Sequence, residues 1–212
     1  AAKKAAIDAS AEDATNKVNA IQIGGRNLLT DTKTFANYNN YNGWTKEGTQ
    51  YKGLDVFSKS SQWNGLYKSI MLESGKLYTF SAYVKGDSNC IVYMYGGTNL
   101  DGASFGNITE WTRIHHTFIA DSNTYKPRIE NSVSGSYLAV CGYTLIEGNK
   151  GYEDWSPSPE DVDNSISTAQ QAANAAQSSA NAANSAIANI VSDNVLSANE
   201  KPNERSRWND IS

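Results

Sequence analysis

The chain has 212 residues, with 18 Lys and Arg against 22 Asp and Glu and a formal net charge of −4. That length allows one or two domains, and the mild acidity, with no basic stripe beyond Lys3-Lys4, gives no footprint for a nucleic-acid partner. No apolar run approaches the roughly 20 residues needed to cross a bilayer, so no membrane span is expected.

Residues 1–22 read as a helix with coiled-coil spacing. Ile7, Ala11, Ala14, Val18 and Ile21 follow one another at steps of 4, 3, 4 and 3, which places them on one helix face. So few heptads do not make a stable isolated helix, so this segment needs partners. Gly24-Gly25 stops it. The chain starts without Met or a signal peptide and reads as helical towards both ends, as expected of a piece of a longer protein.

From Gly24 to Ser156 the pattern changes to period two. All twelve Tyr, all five Phe and four of the five Trp lie between Phe35 and Trp155, enough core-forming material for a domain of its own. Strands are expected at Arg26–Leu29, Leu54–Lys59, Leu66–Leu72, Leu77–Lys85, Cys90–Tyr95, Thr112–Ala120, Arg128–Asn131 and Tyr137–Ile146. A loop from Asn37 to Gly48 carries Trp44. Short strands separated by turn signals, with no helical pattern among them, predict an antiparallel β-sandwich or jelly roll. In the strand at Leu77–Lys85, Tyr78, Phe80, Ala82 and Val84 face in and Tyr83 faces out. In Thr112–Ala120, Ile114, His116 and Phe118 face in while Arg113 and His115 face out. Cys90, Val92 and Met94 oppose Ile91, Tyr93 and Tyr95. Cys90 and Cys141 are expected as two buried free thiols rather than a disulfide.

Tyr152 to Asp161 is a transition, with Pro157 and Pro159 keeping it extended and Trp155 laid on the sandwich edge. Ser158 or Asp161 caps the helix that follows over 160–194. In it, Val162, Ile166, Ala169, Ala173, Ala176, Ala180, Ala183, Ile187 and Ile190 keep the same alternation of 4 and 3. No charge occurs between Asp163 and Asp193, so the rod is expected to be held by association. Its wide face of small residues suits contact with two neighbours, hence a trimer. Ser197-Ala-Asn-Glu200 has capping-box spacing and opens a further helical segment over 197–212.

Taken in order, Gly25-Arg-Asn-Leu-Leu29, Leu77-Tyr-Thr-Phe-Ser-Ala-Tyr-Val-Lys85, Glu110-Trp-Thr-Arg113 and Asp154-Trp-Ser-Pro-Ser-Pro-Glu-Asp161 resemble the carbohydrate-binding-module-like jelly rolls of tailed-phage tail proteins. Leu196-Ser-Ala-Asn-Glu-Lys-Pro202 with Trp208-Asn-Asp-Ile211 is similar to a helical element that often follows those modules. The resemblance implies a tail-fibre or tail-tip host-specificity protein of the virion, usually trimeric, that meets host glycans and other tail proteins. The fold it implies is a galactose-binding-like β-sandwich inserted between coiled-coil helices. It also places Trp111 and Trp155 as structural tryptophans. Jelly rolls of this kind often hold a structural calcium on paired acidic residues of the last strand. Here Cys141-Gly142 stand in that place, so no cofactor is expected, with a structural calcium left only to Asp and Glu elsewhere in the chain.

Sugar recognition needs aromatic rings to stack on pyranose faces and polar side chains to bond hydroxyls. The expected ligand-binding residues are the outward Tyr83, Tyr93, Tyr95, Arg113 and His115, with Trp44 and Trp63 from loops. His115 and His116 are neighbours on a strand and point to opposite faces, so they do not share a metal. No pair of carboxylates has glycosidase placement and no nucleophile or phosphate-binding motif occurs, so no catalysis is expected. The alternative is a spacer domain that binds no sugar.

Overall fold

The computed structural model describes residues 25–40, 43–98, 101–150, 153–192 and 201–209, together with Lys4 and Ser10. Apart from Lys4 and Ser10, the helix expected over 1–22 lies outside the described residues, as does the capping box at Ser197–Glu200. The chain divides into two compact units, residues 1–162 and 163–212.

The first unit is an antiparallel β-sandwich. Its strands are β1 (Thr45–Tyr51), β2 (Leu54–Lys59), β3 (Ile70–Met71), β4 (Leu77–Gly86), β5 (Cys90–Tyr95), β6 (Asp101–Ser104), β7 (Ile108–Ile119), β8 (Thr124–Asn131) and β9 (Leu138–Glu147). One sheet runs β1-β2-β9-β4-β7 and the other β3-β8-β5-β6. Every pairing is antiparallel. The main core lies between the sheets, from Phe80, Ala82 and Val84 of β4 and Ile114 and Phe118 of β7 to Val92 and Met94 of β5 and Ile129 of β8. For β4 and β7 these belong to the inward sets of the period-two reading; the structure adds the inward faces of β5 and β8. Tyr143 is the hub of the aromatic packing, with ring centres 4.8 Å from Phe35, 5.0 Å from Phe80 and 6.0 Å from Tyr38. Edge-on arrangements of this kind add to what area burial supplies.

A second, smaller cluster covers the outer face of the five-stranded sheet. It holds Leu54, Val56, Tyr83, Ala139 and Cys141, with Tyr51, Trp111, Tyr137 and Trp155 packed against it. The two cysteines are free and buried, one in each cluster.

Two of the strand expectations are corrected, and two strands, β1 and β6, were not expected. Arg26–Leu29 is not a strand. Leu28 makes a single backbone bond to Leu145 at 2.7 Å, and the buried Asn27 carboxamide takes over the rest of the pairing. Leu66–Leu72 reduces to the two residues of β3 and an isolated bridge between Asn39 and Tyr67. β1 and β6 arise from mostly polar stretches, Thr-Lys-Glu-Gly-Thr-Gln-Tyr and Asp-Gly-Ala-Ser, without an apolar alternation of their own; pairing with β2 and β5 forms them.

Asn27 also fastens the two ends of the sandwich. Its Oδ1 accepts from the Leu29 and Leu145 amides, and its Nδ2 donates to Tyr143 O, Ser156 O and Thr32 Oγ1. Nearby, Trp155 Nε1 donates to Thr32 Oγ1 at 2.9 Å, and Arg26 and Glu160 approach to 3.2 Å. Entry and exit of the sandwich are therefore adjacent.

Helix α1 (Pro159–Ser192) follows. Ser158 is its N-cap, accepting from the Asp161 amide at 3.0 Å, and Pro159 takes the first position, where a missing N–H costs nothing. Asp161 turns its carboxylate to the Asp31 amide instead. In the second unit α1 is Ala-rich, the best composition for a helix. Its Ser and Thr hydroxyls bond back to carbonyls four residues earlier. Gln170 with Asn174 and Gln177 with Asn181 pair along one face, seven residues apart. Side chains from Val162 to Asn189 are exposed in the single chain. Helix α2 (Lys201–Asn209) ends the described structure with Trp208 exposed. Among the described residues no helix is long and apolar enough to cross a membrane.

Candidate functional site

The outer face of the four-stranded sheet carries the candidate site. In β5, Ile91, Tyr93 and Tyr95 alternate outward, and in β8 their register partners are Glu130, Arg128 and Lys126. Alternation thus lays two tyrosines beside an Arg, a Glu and a Lys on one surface. The Arg128 guanidinium stacks on the Tyr95 ring at 4.4 Å. Lys126 Nζ lies 5.7 Å from the same ring and 5.5 Å from that of Tyr67.

A wall for this floor comes from the turn after β2. Trp63 and Asn64 both adopt positive φ, 55° and 53°, which costs a non-glycine residue about 1 kcal/mol or more each. What holds them there is Lys59. Its side chain is buried, and its ammonium donates to the carbonyl oxygens of both Trp63 and Asn64. The Trp44 indole Nε1 adds a bond to Asn64 O at 2.9 Å. With both carbonyls turned inward, the Trp63 indole is left 42% exposed at the surface. Gly65 follows because a Cβ there would stand 2.4 Å from Arg128 Cβ. Burial pushes the Lys59 amine down to about 8, with Arg128 acting in the same direction and Glu130 against it.

Trp63, Asn64, Tyr93, Tyr95, Arg128 and Glu130 line a groove of about 240 Å³. Arg128 Nε and Glu130 Oε1 sit 2.6 Å apart beneath it, both sealed from solvent. The arrangement offers exposed π faces for stacking and fixed donors and acceptors alongside. No nucleophile with an adjacent base belongs to it.

Three of the seven residues expected to bind ligand, Trp63, Tyr93 and Tyr95, meet in this groove. The other four are elsewhere. Trp44 is 4% exposed and lies in the core, with Lys59 Nζ 5.0 Å from its ring. Tyr83 does face away from the main core, but Lys52, Arg113 and Asp154 cover it and leave it 3% exposed. Arg113 lies on the same outer face, its guanidinium 4.6 Å from the Tyr83 ring and donating to Gly142 O, Ser81 Oγ and Thr144 Oγ1. His115, opposite Ser81, is exposed on that face of the other sheet. Asn64, Arg128 and Glu130 were not singled out from the sequence. The signal for the last two is the alternation Lys126, Arg128, Glu130 against Pro127 and Ile129, which becomes legible only once β8 is paired with β5.

The place on β9 where a calcium would be sought does not fit one. Gly142 adopts φ 59° and bulges the strand, and a Cβ would meet Leu54 at 2.6 Å and Trp155 at 3.3 Å. Its carbonyl already receives the Arg113 guanidinium. A cation stands there, and Cys141-Gly142 bring no carboxylate oxygens.

No protein-family model matches the sequence, and no curated protein sequence matches it. Solved structures resemble the sandwich. A CBM4 structure aligns with TM-score 0.37 at 12% identity, over 53% of this chain and 76% of that one. The tandem CBM22-1–CBM22-2 domain of Paenibacillus barcinonensis Xyn10C aligns with TM-score 0.43 at 14% identity, over 66% of this chain and 48% of that one. TmCBM61, solved with β-1,4-galactotriose, aligns with TM-score 0.39 at 11% identity, over 58% of this chain and 99% of that one. Each is a likeness to the sandwich alone, and the antiparallel β-sandwich of the first unit stands on its own strand order and pairing.

Proposed function

We propose that this chain is a non-enzymatic glycan-binding module of a tailed-phage tail-fibre or tail-tip protein, displayed on the virion for adsorption to host cell-surface polysaccharide. The observation that carries the binding reading is the convergence of Trp63, Tyr93 and Tyr95 with Arg128 and Glu130 around one groove. A pyranose ring stacks on the exposed indole or phenol, and its hydroxyls bond the charged pair and Asn64.

The stalk supplies the copy number in this reading. Helix α1 presents Val162, Ile166, Ala169, Ala173, Ala176, Ala180, Ala183 and Ile187 at coiled-coil spacing, with exposed side chains that a single chain does not cover. Three such helices, with the heptads upstream of Gly24, form a trimer. Weak single sites then add through effective concentration.

The test is binding of the 212-residue chain to a glycan array. Retention of one glycan class, lost in Trp63→Ala and Tyr95→Ala, supports the proposal. No retention at high glycan density contradicts it and leaves a spacer domain.

A further inference from the structure

The groove carries charge that stacking alone does not need. Three cations gather at it on a chain whose net charge is −4. Arg128 lies in the floor, Lys126 reaches across Tyr95 and Tyr67, and Lys59 sits buried behind the Trp63 turn. One carboxylate, Glu130, answers them. That carboxylate faces Arg128 Nε, and both side chains are nearly enclosed, 14% and 4% exposed. The guanidinium is thus ion-paired to Glu130 on one side and stacked on Tyr95, while among the described residues no acceptor takes a hydrogen bond from either Nη of Arg128.

A planar guanidinium held at Nε, with two parallel Nη donors left over, matches the two oxygens of a carboxylate or phosphate. Resting on the glycan-binding reading, we propose that the groove selects glycans bearing an anionic substituent, a carboxylate or a phosphate. That group docks on the two Nη nitrogens of Arg128, while the sugar ring that carries it stacks on Trp63 or Tyr93. Glu130 sets the angle of the fork, and Lys126 draws the anion in from solvent, a contribution that salt screens.

The experiment measures equilibrium binding of the full chain to neutral glycans and to matched forms carrying a uronate or a phosphodiester, at low and at high salt. The acidic forms are expected to bind about tenfold tighter or more at low salt, with the gap narrowing as salt rises. The uronate and phosphodiester arms tell the two anions apart. Arg128→Lys keeps the charge but loses the fork, and is expected to remove most of the preference; Lys126→Ala, at the surface, is expected to remove its salt-sensitive part. The wild-type comparison decides the matter even if a change at Arg128 disturbs folding. Neutral forms bound as tightly as acidic ones, with binding still dependent on Trp63, overturn the anion preference and leave the glycan reading standing. No binding of either form overturns both.

Discussion

The ammonium of Lys59 donates to the carbonyl oxygen of Asn64 at 2.8 Å, and the preceding carbonyl, that of Trp63, turns to the same nitrogen. A buried cation thus gathers two consecutive peptide oxygens. The turn takes left-handed backbone at both residues, and the Trp63 ring is delivered to the groove. Lys59→Met is expected to leave the Trp63 carbonyl without its donor and the Asn64 carbonyl with the Trp44 indole alone, costing about 1–3 kcal/mol in chemical denaturation. It is also expected to weaken glycan binding, because the indole is no longer fixed. Trp63→Ala is expected to lose binding with stability within about 1 kcal/mol of the parent, since the residue lies at the surface, outside the core.

Stability is expected to peak near pH 9. Lys59 titrates at about 8 in the folded protein and near 10.5 when unfolded. Above pH 8 the unfolded state therefore binds more protons, and stability rises with pH. Burial holds the thiols of Cys90 and Cys141 up to about 11 and about 12, against 9.0 unfolded. Above pH 9 the folded state keeps protons that the unfolded state sheds, and two such groups outweigh one lysine. Each proton is worth at most about 1.4 kcal/mol per pH unit. Denaturation midpoints between pH 7 and 10 check the shape, and Lys59→Met is expected to abolish the rise between pH 8 and 9.

Asn27→Ala is expected to destabilise the sandwich by about 3–5 kcal/mol, at about 1 kcal/mol net for each bond that its buried carboxamide makes. Thermal unfolding checks the size. A loss under about 1 kcal/mol contradicts the role given to Asn27 in joining the two ends.

Sedimentation equilibrium of the full chain is expected to give three copies, and Ala176→Asp with Ala180→Asp to give one. Charge on adjacent rungs of the helical seam repels across every copy. A monomeric parent contradicts the stalk reading.

The inward residues of β4 and β7 were legible in the sequence because one face of each is plainly apolar. In β5 both faces carry apolar or aromatic residues, and alternation alone did not choose between them. Tyr83 shows where that reading stops. Its strand position is outward as expected, but the Asp154–Trp155 return and Lys52 cover it, and alternation does not tell whether another segment lies on a face. Trp44 was hidden by its loop, since only the Asn64 carbonyl and Lys59 reveal it as core. Arg128 and Glu130 needed the β5–β8 register, a long-range pairing that local pattern does not encode.

The most direct test of the central claim follows the tryptophan indole N–H resonances while a bound glycan is titrated in. The chain has five Trp, and Trp63 alone among them lines the groove. The account predicts that the Trp63 resonance shifts and saturates while those of Trp111 and Trp155 hold. A shift of Trp111 or Trp155 with Trp63 unmoved would place the ligand on the other sheet and contradict it.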